Sequence, residues 1–396
     1  MTGASDADDR HAKVPPWRDV RVLRVFAQVV ILLAVALGVA YLVNNLTTGM
    51  ADRGFAFSFD FLDRRAGFEI GESPVPYSAS DTYGQAFLVG LLNTLFVSFV
   101  GIVLATVLGI VIGVARLSNN WLVSRAAAGY VELIRNTPLL LQLFVIYFVV
   151  LLQLPAVRDT IALPGSIFLN QRGLFVPGPQ TGSAFGLWVA LLAVGIGAVV
   201  AGRIAEGRLE RSGRPGYRLG LVGLLVLVAL AVGGWVLPSQ PPLSFDLPVR
   251  GRFNFSGGLA LSTAFTALLT GLVIYTAGFI AEVVRGGIQS VRRGQVEAAR
   301  ALGLSEGDTL RLVVFPQALR VIVPPLTSQY LNLTKNSSLA IAVGYPDLFK
   351  VGTTMANQTG QPVPVIVLVM ATYLAISLAT SLLMNLYNRR VQVLER

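Results

Sequence analysis

Apolar stretches of spanning length alternate with polar segments along the chain, at approximately residues 25–43, 86–115, 137–154, 184–200, 219–237, 258–281, 316–340 and 364–387. A helix rises 1.5 Å per residue, so about 20 apolar residues cross a hydrocarbon layer about 30 Å thick. Each stretch predicts one spanning helix. The fold class is therefore an all-α polytopic membrane protein with about eight transmembrane helices. The first stretch follows Arg18, Arg21 and Arg24 and ends in Gly38, Val39 and Ala40, as a secretory leader would. Its length and the long leader ahead of it favour an uncleaved span.

Composition agrees with the pattern. Of 396 residues, 54% are hydrophobic and 13% charged, too little charge to cover a water-soluble core of this size. The absence of cysteine excludes disulfide frameworks, thiolate metal sites and cysteine nucleophiles. His11, the single histidine, lies in a polar tail and offers no imidazole chemistry. The formal net charge of +10 raises nucleic-acid binding, which its distribution removes. With the amino terminus inside, the inside segments carry 22 Lys and Arg and the outside segments 8, with Lys335 inside a span. That excess predicts cytoplasmic amino and carboxyl termini. The outside segment 44–85 and the basic turn 203–218 read as solvated connectors, the former able to contact a soluble partner.

The segment Glu282–Gln317 carries folding instructions of its own. VEAARALGL (296–304) contains strong helix formers, Gly303 permits a left-handed stop, and Ser305 followed by Asp308 marks the start of a second helix. Ala298 and Ala299 leave a shallow surface for a partner's groove, with Glu297 and Arg300 as polar handles. The spacing Glu297-Ala298-Ala299, Gly303, Val313 and Phe315-Pro316 resembles the EAA loop of ABC-importer permeases, with Val for the usual Ile and Phe for the usual Leu. The runs YVELIRNTPLLLQLFVIYF (130–148) and FPQALRVIVPPLTSQYLNLTKNSSLAIAVGYPDL (315–348) are similar to the polar amino acid permease group.

The resemblance implies an architecture and a set of partners. It covers roughly 86–155 and 258–390, whose spans would form a five-helix ABC type I importer core. Residues 1–85 would add a cytoplasmic tail, a first span and a periplasmic segment, and 156–257 two more spans with periplasmic segments. Long permeases of this kind resemble the larger subunit of the general L-amino acid and glutamate/glutamine/aspartate/asparagine importers of Gram-negative bacteria. Such a subunit would sit in the bacterial inner membrane and pair with a second homologous permease in a heterodimer. Two copies of a cytoplasmic ABC ATPase would engage Glu297, Ala298, Ala299, Arg300 and Gly303, and a periplasmic amino-acid-binding protein would deliver substrate. The sequence contains no Gly-x4-Gly-Lys-Ser/Thr phosphate loop, so ATP and Mg belong to the partner ATPase and this chain is non-catalytic, with no cofactor or metal of its own.

Polar side chains inside apolar spans are costly and are functional candidates by default. Gln329, Asn332, Lys335, Asn336 and Ser337 form a polar stripe in the seventh span. Lys335 either binds a substrate carboxylate or snorkels to the interface. Gln142, after Thr137-Pro138 in the third span, is a further pathway candidate. Asn93 and Thr94 serve as interhelical glue or substrate contacts, Pro324 and Pro325 suit a kink or gate, and Gly101, Gly109 and Gly113 suit close helix packing. Glu132 and Arg135 read as a helix-surface ion pair, with a gating role as the alternative. KNSSL (335–339) replaces a KDTSL-like run in relatives, which favours acidic and neutral polar amino acids over cationic ones. The rival classes are an ion-gradient-coupled transporter, which would need carboxylates or histidine at mid-membrane, and a membrane enzyme, which would need facing catalytic groups.

Overall fold

The computed structural model describes residues 20–52, 57–212, 218–239, 241–251 and 254–391. His11 and the tail around it lie outside the described residues, as do Arg53, Arg214 and Arg252. Among the described residues, seven helices are long and apolar enough to cross a membrane, and a bent pair makes eight. The uninterrupted spanning helices are α1 (Val20–Ala51), α2 (Tyr83–Ala115), α5 (Phe185–Arg211), α6 (Leu219–Val236), α7 (Thr263–Gln289), α10 (Phe315–Asn336) and α12 (Pro362–Val391).

The bent pair corrects the third predicted span. Residues 116–136 are not a loop but contain the amphipathic helix α3 (Trp121–Asn136). Its axis meets α4 (Leu139–Phe144) and the following π turn (Val145–Leu151) at 106°. Thr137-Pro138 breaks the helix because proline excludes helical geometry from the residue before it. The inner stretch from Leu139 to Leu151 rises about 20 Å, short of a full bilayer crossing.

α7 is the centre of the core, packed against α2, α10, α3 and α4. Small residues make this approach possible. A Cβ at Gly109 would lie 2.6 Å from the Ile280 Cβ, and one at Gly113 would lie 2.8 Å from the Ala281 carbonyl, so α2 and α7 meet backbone to side chain. Leu268, Leu272, Ile280 and Leu333 are fully buried there. α10 runs through both Pro324 and Pro325 as one helix, preceded by the short α9 (Glu306–Asp308) and a π turn (Thr309–Val314), and ends in a 3-10 turn, Ser337–Ala342.

The connectors are more structured than their polarity implies. Residues 57–82 fold down as a packed cap: Phe61 is fully buried and Ala66 nearly so, and both join Tyr83, Ala86, Leu348, Val351 and Met355 in a second apolar cluster. The solvated-connector reading fails because the aromatic residues Phe61, Phe68 and Tyr77 supply apolar area among the carboxylates. Thr82 and Gln85 form a reciprocal capping box that starts α2. The segment after α10 contains a further helix, α11 (Leu348–Thr359), started by Asp347 and stopped by Gly360 at φ +66°.

Residues 161–262 depart from an all-helical pattern in short strands. Strands β1 (Ile161–Leu163), β2 (Ile167–Asn170), β3 (Gly173–Val176) and β8 (Leu259–Ser262) form one antiparallel sheet in that order. β4 (Gly178–Thr181) pairs with β5 (Leu243–Asp246), and β6 (Val249–Arg250) with β7 (Phe255–Ser256). The β4–β5 ladder closes the base of the α5–α6 hairpin. Those two helices pack on each other, with the Gly195, Gly202 and Gly223 positions against the facing backbone. α1 buries none of its spanning window.

Candidate functional site

The elbow between α7 and α10 is built as its spacing predicts. α8 (Arg293–Ala301) ends where Gly303 turns left-handed at φ +81°. The Gly303 amide donates to the Arg300 carbonyl at 2.9 Å and the Leu304 amide to the Ala299 carbonyl at 3.2 Å, the two bonds of a Schellman stop. Ser305 then starts α9 by accepting from the Asp308 amide at 3.1 Å. Ala299, expected on the surface offered to a partner, is instead buried, because α8 packs that face against the elbow's own return at Thr309–Val314. Glu297, Ala298 and Arg300 face outward, Arg300 lying 3.4 Å from Glu306. Leu302 at the tip is 84% exposed, an apolar side chain held out by a well-stapled turn. Its position follows from the one-residue gap between Ala301, the last helical residue, and Gly303, a spacing that the sequence carries.

The polar residues of the seventh span occupy different surroundings. Gln329 and Asn336 are half-buried, while Asn332 and Lys335 are exposed. Among the described residues no protein group lies within hydrogen-bond distance of these four side chains' amide or ammonium groups. Ser337 is fully buried and donates to the Thr334 carbonyl at 2.8 Å, a local role. Lys335 alone of the predicted set borders a groove of about 700 Å³ between the end of α10, α11 and α12. The groove's other lining includes Phe349, Thr353 and Asn357, spaced by four on α11, and Met370, Tyr373 and Ser377 on α12. Sequence reasoning missed this face because α11 falls in a stretch that reads as a connector, although its repeat of four is a helix signal.

Gln142 is committed to the bend. It is buried, and its Nε2 donates to the carbonyls of Ile134 at 2.9 Å and Thr137 at 3.0 Å, which the break leaves without helical partners. Asn93 and Thr94 are glue in the same sense. The Asn93 amide donates to the Glu72 and Pro346 carbonyls, both at 2.9 Å, and the Thr94 hydroxyl accepts from the Leu348 amide at 3.0 Å. These bonds tie the 57–82 cap and the start of α11 to α2.

Asp347 completes that knot. Fully buried, it accepts from the Lys350 amide at 2.9 Å and from the Tyr373 hydroxyl at 3.1 Å. Burial pushes its carboxyl up to about 6, against the opposing pull of the Lys350 and Phe349 amides and Tyr373. Burial likewise raises the Glu72 carboxyl, which the hydroxyl of Ser262 partly offsets.

At the elbow end of the core, Glu282 on α7 gathers three guanidiniums: Arg116 at the end of α2, Arg285 one turn on, and Arg135 on α3 at 3.8 Å. This corrects the predicted Glu132–Arg135 pair. Arg135 turns toward Glu282 and stacks over the Phe279 ring at 5.3 Å, and among the described residues Glu132 forms no ion pair.

Three relatives are similar over nearly the whole chain. The general L-amino acid transport system permease protein AapQ of Rhizobium johnstonii is 44% identical over 96% of this chain and 94% of its own length. The putative amino-acid ABC transporter permease protein YhdX of Escherichia coli is 46% identical, over 93% of this chain and 94% of its own. The glutamate/glutamine/aspartate/asparagine transport system permease protein BztB of Rhodobacter capsulatus is 42% identical over 96% of each chain. Residues 101–393 match the family described as binding-protein-dependent transport system inner membrane component. With an elbow presented beside a helical core, and with a family match over most of its length, the chain belongs to the binding-protein-dependent inner membrane components, the permease subunits of ABC importers.

Proposed function

We propose that this chain is one half of the translocation pathway of an ATP-driven importer of L-amino acids, working beside a second, homologous permease in a bacterial inner membrane. The observation that carries the reading is the elbow. Leu302, with Glu297, Ala298 and Arg300 beside it, stands exposed on a turn fixed by Gly303 and by buried Ala299. An exposed leucine on a stapled turn gains about 1.5–3 kcal/mol when a groove covers it, a share of the docking energy equal to about a 10–150-fold change in affinity for a cytoplasmic ATPase. Two such ATPases, holding ATP and Mg, would close and push α8, and α7 would carry the push into the core. A periplasmic binding protein would deliver the substrate at the end capped by residues 57–82. The excess of Lys and Arg on the elbow side supports cytoplasmic termini.

The substrate class rests on two supports. The relatives' names specify general L-amino acids in one case and glutamate, glutamine, aspartate and asparagine in another. Lys335, lining the groove, supplies a cation suited to a substrate carboxylate, and Gln329, Asn332 and Asn336 on adjacent turns of α10 carry amides without protein partners among the described residues that suit polar side chains. Expression together with the neighbouring reading frames tests the proposal. The chain should co-purify with an ATPase, and Leu302→Asp should weaken that retention by at least about tenfold. Uptake driven by an ion gradient through this chain without ATP would overturn the reading.

A further inference from the structure

Glu132 and Arg135 are neighbours on one face of α3, three residues apart, yet they do not pair. Arg135 is drawn aside by Glu282 and Phe279, which leaves the Glu132 carboxylate exposed with no ion-pair partner among the described residues. Between them opens a recess of about 360 Å³, lined by Arg116, Val131, Glu132, Arg135, Asn136, Phe279 and Glu282. That volume is at the small end of ligand pockets, about 300–1,000 Å³.

The charges of the recess are balanced, with two guanidiniums and two carboxylates on its wall. A simple anion such as phosphate would meet Glu132, and a simple cation would meet Arg135. A small zwitterion satisfies both. Glu282 fixes Arg116 and Arg285 in place, so two of the cluster's cations are held as a frame and not left mobile. Arg135, 41% exposed and only loosely engaged at 3.8 Å, keeps donors for a carboxylate, where a planar guanidinium binds two oxygens at once. The Glu132 carboxylate is placed for an ammonium, and the Asn136 amide can meet a polar side chain. The geometry points to a binding site for a free α-amino acid at the elbow end of α2, α3 and α7, with Arg135 taking the α-carboxylate and Glu132 the α-ammonium.

This site is separate from the Lys335 groove and lies beside the helix that leads into the elbow. An amino acid bound there is held by two side chains of α3 beside Glu282 of α7. That makes it a resting point for the carried molecule on the elbow side. The identity of the ligand as cargo rests on the importer reading, whereas its binding does not.

The test uses the assembled permease–ATPase complex purified in detergent without the binding protein, as the parent and as Lys335→Ala, with radiolabelled L-glutamine and L-glutamate as probes in equilibrium binding. At least one should bind saturably. Glu132→Gln and Arg135→Gln, both at exposed positions, should each weaken binding at least about tenfold, since each removes a charged contact. Asp159→Asn, which removes a charge beyond the far end of α4, should not. Two analogues, 4-aminobutanamide without the α-carboxylate and 4-carbamoylbutanoate without the α-amine, should fail to compete. Glu132→Asp and Arg135→Lys should recover part of the affinity, which a merely structural role would not require. The inference is overturned if neither probe binds, if either glutamine variant binds like the parent, if Asp159→Asn loses binding equally, or if either analogue competes as well as the amino acid. ATP-driven uptake measured in parallel separates the two readings: uptake that persists without such binding removes this site and leaves the importer standing.

Discussion

Replacing Gly303 isolates backbone conformation from contact. Its φ of +81° lies in the left-handed region, and a Cβ built there would meet nothing within 4 Å, so a larger residue is penalised only through its backbone. For alanine that penalty is about 1–2 kcal/mol. Two hydrogen bonds depend on the turn, Gly303 to Arg300 at 2.9 Å and Leu304 to Ala299 at 3.2 Å, and both open together when the turn relaxes. The population of the open elbow should therefore rise about 5–30-fold in Gly303→Ala, less in Gly303→Asn, whose side chain tolerates this region, and more in the β-branched Gly303→Val. Hydrogen exchange at the amides of Gly303 and Leu304 reads the opening directly. ATPase retention on co-purification should fall in the same order, glycine above asparagine above alanine above valine. Exchange that is flat across the series would refute the conformational argument. Exchange that follows the order while retention stays constant would show that the turn is not the handle.

Three further outcomes concern the helix packing and the knot around Asp347. Asp347 has a folded-state pKa of about 6 against 3.8 in the unfolded chain, so its buried charge costs nothing below about pH 4 and its full burden above about pH 6. Stability should thus fall by about 2–3 kcal/mol as pH rises through that window, and Asp347→Asn should abolish this part of the pH dependence of thermal unfolding. Gly109→Ala should lower the unfolding temperature, because Ile280 lies 2.6 Å from the new Cβ and overpacking of about 1–3 kcal/mol exceeds the helix gain of about 1. Gly129→Ala on α3, with open space around it, should raise it by that same helix gain; equal responses at the two glycines would contradict the packing described for α2 and α7.

The sequence displayed the spans because an apolar run of spanning length has few other uses, and it displayed the elbow because Gly303 and Ser305 act within a few residues of themselves. What it concealed depends on distance. Window hydropathy merges the inner half of the bent pair into one span and overlooks α3, whose polar face lowers its average. α11 is hidden for the same reason, since its apolar residues Leu348, Val351 and Met355 find their partners on α2, on α12 and in the 57–82 cap. The aromatic residues of that cap are visible, but what they pack against comes from residues nearly 300 positions later. Spacing by three correctly puts Glu132 and Arg135 on one face and gives the wrong partner, because Glu282, some 150 residues away, already concentrates three cations.

These long-range contacts fall into a mechanical order. α8 is joined to α7 by a short turn, and α7 is the helix against which α2, α3, α4 and α10 all pack. Glu282 fastens the end of α2 to α7 within two turns of the elbow, α3 packs directly on α7, and Gln142 fastens α3 to α4 across the bend. A displacement delivered at Leu302 would reach the broken span through the packing of α3 and α4 on α7 and through the Gln142 hydrogen bonds across the bend. α1 and the α5–α6 hairpin have no such links to this path among the described residues: α1 buries none of its spanning window, and α5 and α6 bury their small residues against each other. If force enters at the elbow, the hairpin should ride with its β4–β5 base while the α3–α4 angle changes. Distance measurements between spin labels on α3 and α4, with and without ATP on the assembled complex, should register that change and find none within the hairpin.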